Sequence, residues 1–204
     1  MIIGMSAGQG QGKSTLIDAM CDGEENIKKL NLQTSRETLA AWGYTLDEVN
    51  RYLPLKKRFQ EELYRRHCDA LNRAMEESED TGDVLFVERT FSDIFAYTAM
   101  GMGAFNEYSD WLDIYKNDCL NAQKTFFSHI IFLTGRDYVP EDDGVRSTNT
   151  DFSDTANFLI EKYTHEFTGG NDGFAHVSTI DVADLGERVE VLDNTIHQLK
   201  LSRG

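Results

Sequence analysis

Cysteine, proline and basic residues are all scarce in this 204-residue chain, and each shortage excludes something. The three cysteines, Cys21, Cys68 and Cys119, are odd in number and far apart, so the sequence spells out neither a disulfide framework nor a zinc site. Buried thiols in a reducing compartment are expected instead. With only Pro54 and Pro140 to interrupt the chain, long helices are expected. No stretch approaches the roughly 18 apolar residues of a membrane span. The opening MIIGMSAGQG has no basic n-region or cleavable apolar core, so a cytoplasmic protein without a membrane partner is expected. Lys and Arg number 20 against 35 Asp and Glu, a formal charge of −15. A chain this acidic repels a phosphate backbone overall, and only a localised basic groove would bind nucleic acid.

What is present suits a globular protein. Hydrophobic residues make up 40% and aromatics 11%, spread along the whole chain, and the length fits one domain over 1–204. Residues 1–6 form an apolar run ending in glycines, and 13–21 read as a helix. A weak strand is expected at 27–32 and a short helix at 36–42. Thr45 to Glu48 has a capping-box pattern. Leu55, Phe59, Leu63, Cys68, Leu71 and Met75 recur at helical spacing. Residues 84–87 and 130–133 are continuous apolar runs of the kind buried in parallel sheets. Helices at 91–100, 107–127, 158–167 and 185–199 and a strand at 175–180 complete the alternation. The pattern predicts a three-layer α/β domain with a five-stranded, mainly parallel sheet and its ligand at the carboxyl ends of the strands.

The strongest motif is Ala7-Gly8-Gln9-Gly10-Gln11-Gly12-Lys13-Ser14, followed by Thr15. It is a relaxed Walker A element, with Ala7 in the place of the first glycine. The glycines let the backbone curl with its N–H groups inward around phosphates. Lys13 brings a cation to the β- and γ-phosphates of ATP, Ser14 offers a hydroxyl to Mg2+, and the following helix points its positive end at the anion. The dinucleotide spacing G-x-G-x-x-G occurs only in a mis-spaced form.

A P-loop enzyme needs an acid at the end of a neighbouring strand, and Val84-Leu85-Phe86-Val87 leads directly into Glu88 and Arg89. Glu88 is the candidate for holding magnesium or accepting a proton, and Arg89 for clamping a phosphate or orienting the acceptor. Together with Glu88-Arg89-Thr90-Phe91-Ser92-Asp93 and Asp142-Asp143-Gly144-Val145-Arg146, the loop resembles the P-loop kinase family of nicotinamide-riboside kinases and many phage-encoded nucleotide kinases. The Glu-Arg-Thr step is similar to the Glu-Arg-Ser or Asp-Arg-Ser motif of deoxynucleoside kinases. The resemblance spans residues 1–170. It implies a sheet with the P-loop strand beside the Glu88 strand, and transfer of the γ-phosphoryl of ATP. Arg36 fits the family pattern after the second strand, whereas the acid that often precedes it is missing in Leu32-Gln33-Thr34-Ser35-Arg36-Glu37.

The polar stretch 134–151 reads as a lid, with Arg136 and Arg146 as the arginines that close over the phosphates. Residues 51–73 carry seven basic side chains against Glu61, Glu62 and Asp69. Spacings such as Arg58 with Glu61 or Glu62, and these with Arg65 or Arg66, favour a solvated face of i,i+3 and i,i+4 pairs. Phe59-Gln60 is similar to the aromatic-amide pair with which deoxynucleoside kinases hold a base. The expected function is therefore ATP-dependent phosphotransfer to a hydroxyl or phosphate of a small nucleoside or nucleotide. Two alternatives stand beside it: a phage-type kinase acting on a hydroxyl-bearing modified base in DNA, and a P-loop ATPase or switch with no acceptor. The second lacks an apolar run ending in Asp-Glu and the guanine-reading Asn/Thr-Lys-x-Asp element. The oligomeric state stays open, a homodimer included, and the five scattered histidines receive no role.

Overall fold

The computed structural model describes residues 1–8, 10–32, 35–78, 82–134, 150–168 and 176–202. Five strands, β1 (Ile2–Ser6), β2 (Ile27–Leu30), β3 (Val84–Glu88), β4 (His129–Thr134) and β5 (His176–Asp181), form one sheet in the order β2-β3-β1-β4-β5. Every pairing is parallel, and β1 lies at the centre, beside β3. Parallel neighbours require a crossover, which the intervening helices supply. These are α1 (Lys13–Cys21), α2 (Ser35–Trp42), α3 (Leu46–Arg51), α4 (Leu53–Ser78), α5 (Phe91–Met102), α6 (Ser109–Phe126), α7 (Thr150–Thr168) and α8 (Leu185–Leu201).

Two hydrophobic layers sandwich the sheet. On one face Ile3, Met5, Phe86 and Ile131 pack with Leu16, Ile17 and Met20 of α1 and Leu192 and Ile196 of α8. On the other face Ile2, Leu85, Val87 and Ile130 pack with residues of α4, α5 and α6 and with Phe167 of α7. Central strands covered on both sides explain the uninterrupted apolar run Val84-Leu85-Phe86-Val87. Each fully buried side chain of this size contributes about 1.5–3 kcal/mol.

The elements match the sequence pattern closely, with three differences. Strand β2 is two residues shorter than expected, and the segment before α6 is a 3-10 turn, Asn106–Tyr108. Helix α7 starts at Thr150, well before the expected 158 and inside the end of the expected lid. Its buried row runs Ser153, Ala156, Ile160, Thr164, Phe167. Two hydroxyl residues in that row hide its helical period from a hydrophobicity reading. Pro54 sits in the first turn of α4, where its missing N–H costs nothing. Thr45 and Glu48 make the expected capping box at the start of α3. All three cysteines are free thiols, and burial holds the Cys119 thiol well above its ordinary range. No helix among the described residues is long and apolar enough to cross a membrane.

Candidate phosphate-binding site

Strand β1 is buried along its whole length and leads into Ala7 and Gly8, and Gly12 opens α1. The glycines serve in two different ways. Gly10 and Gly12 have φ of 78° and 81°, a region that side-chain-bearing residues rarely adopt. Gly8 is closely approached, since a Cβ there would fall 1.5 Å from Oδ1 of Asn157 on α7 and would force that side chain to move. Ala7 replaces glycine without strain: Arg89 is the only non-glycine residue with positive φ among the described residues, and the Ala7 methyl joins the core.

Gly12 is the N-cap of α1, and no side chain caps that helix. Its first turn, Lys13-Ser14-Thr15, contains no acid, and Ser14 and Thr15 are exposed. The positive end of the helix dipole therefore lies at the mouth of the loop. Lys13 Nζ donates to the carbonyls of Ala7 (2.7 Å) and Gly8 (2.8 Å). The ammonium is thus folded back over its own loop.

Register places Glu88 opposite Met5, at the carboxyl end of the strand beside β1. Its Oε1 lies 2.7 Å from Lys29 Nζ, which also reaches Asp18 of α1 at 3.0 Å. Burial opposes the Lys29 charge, but hydrogen bonds to Glu88 and Asp18 outweigh it and raise the lysine above its ordinary range. Arg89 follows with φ 76°, its N–H donating to the Met5 carbonyl at 3.1 Å. Its guanidinium lies 5.3 Å from the centre of the Tyr97 ring. Behind this turn His67 of α4 is buried, hydrogen-bonded to the Arg89 backbone and edge-on to Phe91. Burial pushes its imidazole down to about 4.

Several residues at the site were not singled out from the sequence. Asp93 is fully buried and accepts from Ser6 Oγ (2.5 Å) and the Thr90 N–H (2.9 Å). Burial pushes its carboxyl up, opposed by the charge of Lys13 and by these hydrogen bonds. Ser6 and Ser92 both reach Thr164 of α7, at 2.8 and 3.1 Å, so a polar lattice ties the last residue of β1 to α5 and α7. The spacing Thr90 to Asp93 was the available signal, a T-x-x-D cap. Arg188 of α8 is the other addition, buried with its guanidinium on the Gln11, Thr134 and Val182 carbonyls. Its signal was a charge standing in the apolar row of Leu192 and Ile196.

Away from the loop, Arg36 is exposed at the start of α2. Phe59 packs in a small cluster with Leu39 and Val49, edge-on to Trp42. Gln60 is buried beside it, its carbonyl accepting from the Tyr115 hydroxyl at 2.9 Å. The basic face of α4 is laced with ion pairs, as the spacing suggests. Arg65 reaches Glu62 and Asp69, Arg66 reaches Glu62, and Lys57 reaches Glu61. Arg58 departs from its expected acidic partners: its guanidinium lies 5.0 Å from the centre of the Trp42 ring. Gln9, Arg136 and Arg146 lie outside the described residues, as does 135–149 of the expected lid.

No protein-family model matches the sequence, and neither does any curated protein. Solved structures do resemble it. A deoxyadenosine kinase from M. mycoides with bound dATP superposes with a TM-score of 0.62 at 15% identity, covering 97% of this chain and 100% of that one. Thymidylate kinase from Ehrlichia chaffeensis gives 0.57 at 11% identity, over 96% and 98% of the two chains. Thymidylate kinase from Candida albicans gives 0.57 at 14%, over 98% and 92%. The fold is that of the P-loop kinases. At these identities the likeness is one of fold, and it agrees with the resemblance read from residues 1–170.

Proposed function

We propose that this chain is an ATP- and magnesium-dependent phosphotransferase that moves the γ-phosphoryl group of ATP to a hydroxyl or phosphate of a nucleoside-type acceptor. One observation carries the reading. The helix after the glycine loop begins with no cap, no acid and a lysine, in a chain that caps other helices with carboxylates. Structural neighbours that act as thymidylate and deoxyadenosine kinases support it.

Backbone N–H groups of residues 8–13 and the start of α1, with Ser14 and Thr15, receive the phosphates. Lys13 exchanges the Ala7 and Gly8 carbonyls for charged phosphate oxygens, a stronger class of hydrogen bond. The exposed Ser14 hydroxyl and the Glu88 carboxylate fit a magnesium ion, which would neutralise charge across the phosphate chain. Glu88 is also the carboxylate placed to take a proton from an attacking hydroxyl, with Lys29 fixing its position through their ion pair. Arg89 stabilises the transferring group, and Arg136 and Arg146 are assigned the same task from the lid. Arg36, Phe59 and Gln60 are assigned to the acceptor side. The pairing of Arg65, Arg66 and Lys57 with acids leaves a poor track for a DNA strand, which favours a small acceptor.

The test is a labelled-ATP transfer screen over nucleosides, nucleoside monophosphates and base-modified oligonucleotides. Transfer to one of the first two, abolished in Lys13→Ala, is the expected result. Transfer to the oligonucleotide alone, falling steeply with salt, would assign a DNA substrate. Hydrolysis indifferent to every acceptor would assign an ATPase.

A further inference from the structure

We infer that Arg188 is a positioning residue for nucleotide binding, holding the phosphate loop from beneath and strengthening the Gly12 N–H as a phosphate donor. The inference rests on the proposed binding of ATP at this loop.

Arg188 stands on α8, 177 residues from its partner Gln11, and its relative exposure is 0%. It is the bulkiest of the fully buried side chains. A guanidinium is costly to bury unless its donors are matched. Here they are: Nη1 donates to the Gln11 carbonyl, Nη2 to the Thr134 carbonyl and Nε to the Val182 carbonyl. The three acceptors come from the phosphate loop, the end of β4 and the residue just after β5. One planar fork therefore gathers the loop and the carboxyl ends of two neighbouring strands.

The Gln11 carbonyl and the Gly12 N–H belong to the same peptide group. A cation bound to the carbonyl oxygen draws electron density from the amide and makes its N–H a better donor, the cooperative polarisation expected along hydrogen-bonded chains. Gly12 is the left-handed N-cap of the uncapped helix α1. The bond to Arg188 also fixes which way this peptide faces, with its carbonyl toward α8. Arg188 thus delivers a permanent positive charge to the phosphate cradle without entering it. A lysine has neither the fork nor the reach to engage three carbonyls together.

The decisive experiment is calorimetric titration of Mg·ATP and of inorganic tripolyphosphate into the wild type, Arg188→Met and Arg188→Lys, with no acceptor present. The methionine variant should bind both probes at least tenfold more weakly, and the lysine variant should recover part of the loss. The Gly12 amide proton should move upfield in the methionine variant, a response that loosened packing elsewhere would not give. Unchanged affinity for both probes in folded Arg188→Met, whatever its melting temperature, overturns the inference. Failure of both variants to fold assigns Arg188 to the core and overturns it equally. A wild type that binds neither probe refutes the proposed function instead.

Discussion

Helices α1 and α5 leave the carboxyl ends of two paired parallel strands, β1 and β3, yet their N-termini are built in opposite ways. At α5 the chain satisfies itself. Thr90 Oγ1 accepts from the Asp93 N–H, and the Asp93 carboxylate accepts from the Thr90 N–H at 2.9 Å. Helix α3 repeats the scheme with Thr45 and Glu48, and at α8 the Asp184 carboxylate accepts from the Glu187 N–H. At α1 the cap is Gly12, and the third position after it is Thr15 rather than an acid. A helix start that serves the fold uses its own carboxylate, whereas one that receives an anion must leave its N–H groups and dipole open. The two ends of the same sheet layer thus divide stability from binding.

That division predicts effects that separate cleanly. The largest is at Lys13. Lys13→Ala should lower phosphoryl transfer by on the order of 10²–10³-fold, as for other preorganised electrostatic donors. Thermal stability should change far less, because Lys13 is only half-buried and its ammonium bonds carbonyls of its own loop. Near-normal turnover would show that α1 is not the catalytic end.

At the α5 entry, the next effect comes from acid. His67 braces the Arg89 turn with an imidazole pushed down to about 4 by burial, against an ordinary value near 6.5. Between those values the unfolded chain binds a proton that the folded chain refuses. Stability is complete above about pH 6.5 and declines as pH falls toward 4, by on the order of 3 kcal/mol. His129, likewise pushed down to about 4 by burial, adds a decline of the same order. Urea titrations across this range should show the decline, and His67→Phe should remove about half of it. A variant with an unchanged acid limb would place the effect elsewhere. A smaller change follows at the cap: Thr90→Ala should cost about 1 kcal/mol in denaturant unfolding while Mg·ATP affinity stays within a factor of two. Loss of affinity there would erase the distinction between the two helices.

Much of this contrast was legible in the sequence, because its ingredients are local. The glycine loop, Lys13-Ser14, the apolar run into Glu88 and the alternation of strands and helices all lie within short windows, and the structure places β1 at the centre beside β3 as expected. What escaped depends on contacts between distant residues. The Asn157 side chain lies against Gly8 from a distant helix, and Arg188 reaches back to Gln11 across nearly the whole chain. Asp93 lay inside a quoted motif, but its burial against Ser6 needs β1 and α5 to meet. The packing of Phe59 is likewise a matter of distant contacts, its ring lying with Leu39 and Val49 and edge-on to Trp42.

The smallest predicted stability change is the most discriminating, since it converts one helix start into the other. Thr15 occupies the position in α1 that Asp93, Glu48 and Glu187 occupy in α5, α3 and α8. Thr15→Glu adds a carboxylate to the first turn, where the helix dipole stabilises it by about 0.3–1 kcal/mol. Thr15 is exposed, so the longer side chain meets no packed neighbour. The protein should become slightly more resistant to urea. The same carboxylate would compete with phosphate for the N–H groups and repel it by charge, so Mg·ATP affinity should fall by about tenfold or more, roughly 1.4 kcal/mol. A change that stabilises the fold while weakening ligand binding is what an anion-receiving helix terminus requires, because the same dipole cannot serve its own carboxylate and a phosphate at once. If Thr15→Glu left affinity intact, the phosphates would not lie on this helix, and the contrast between α1 and α5 would be one of capping alone.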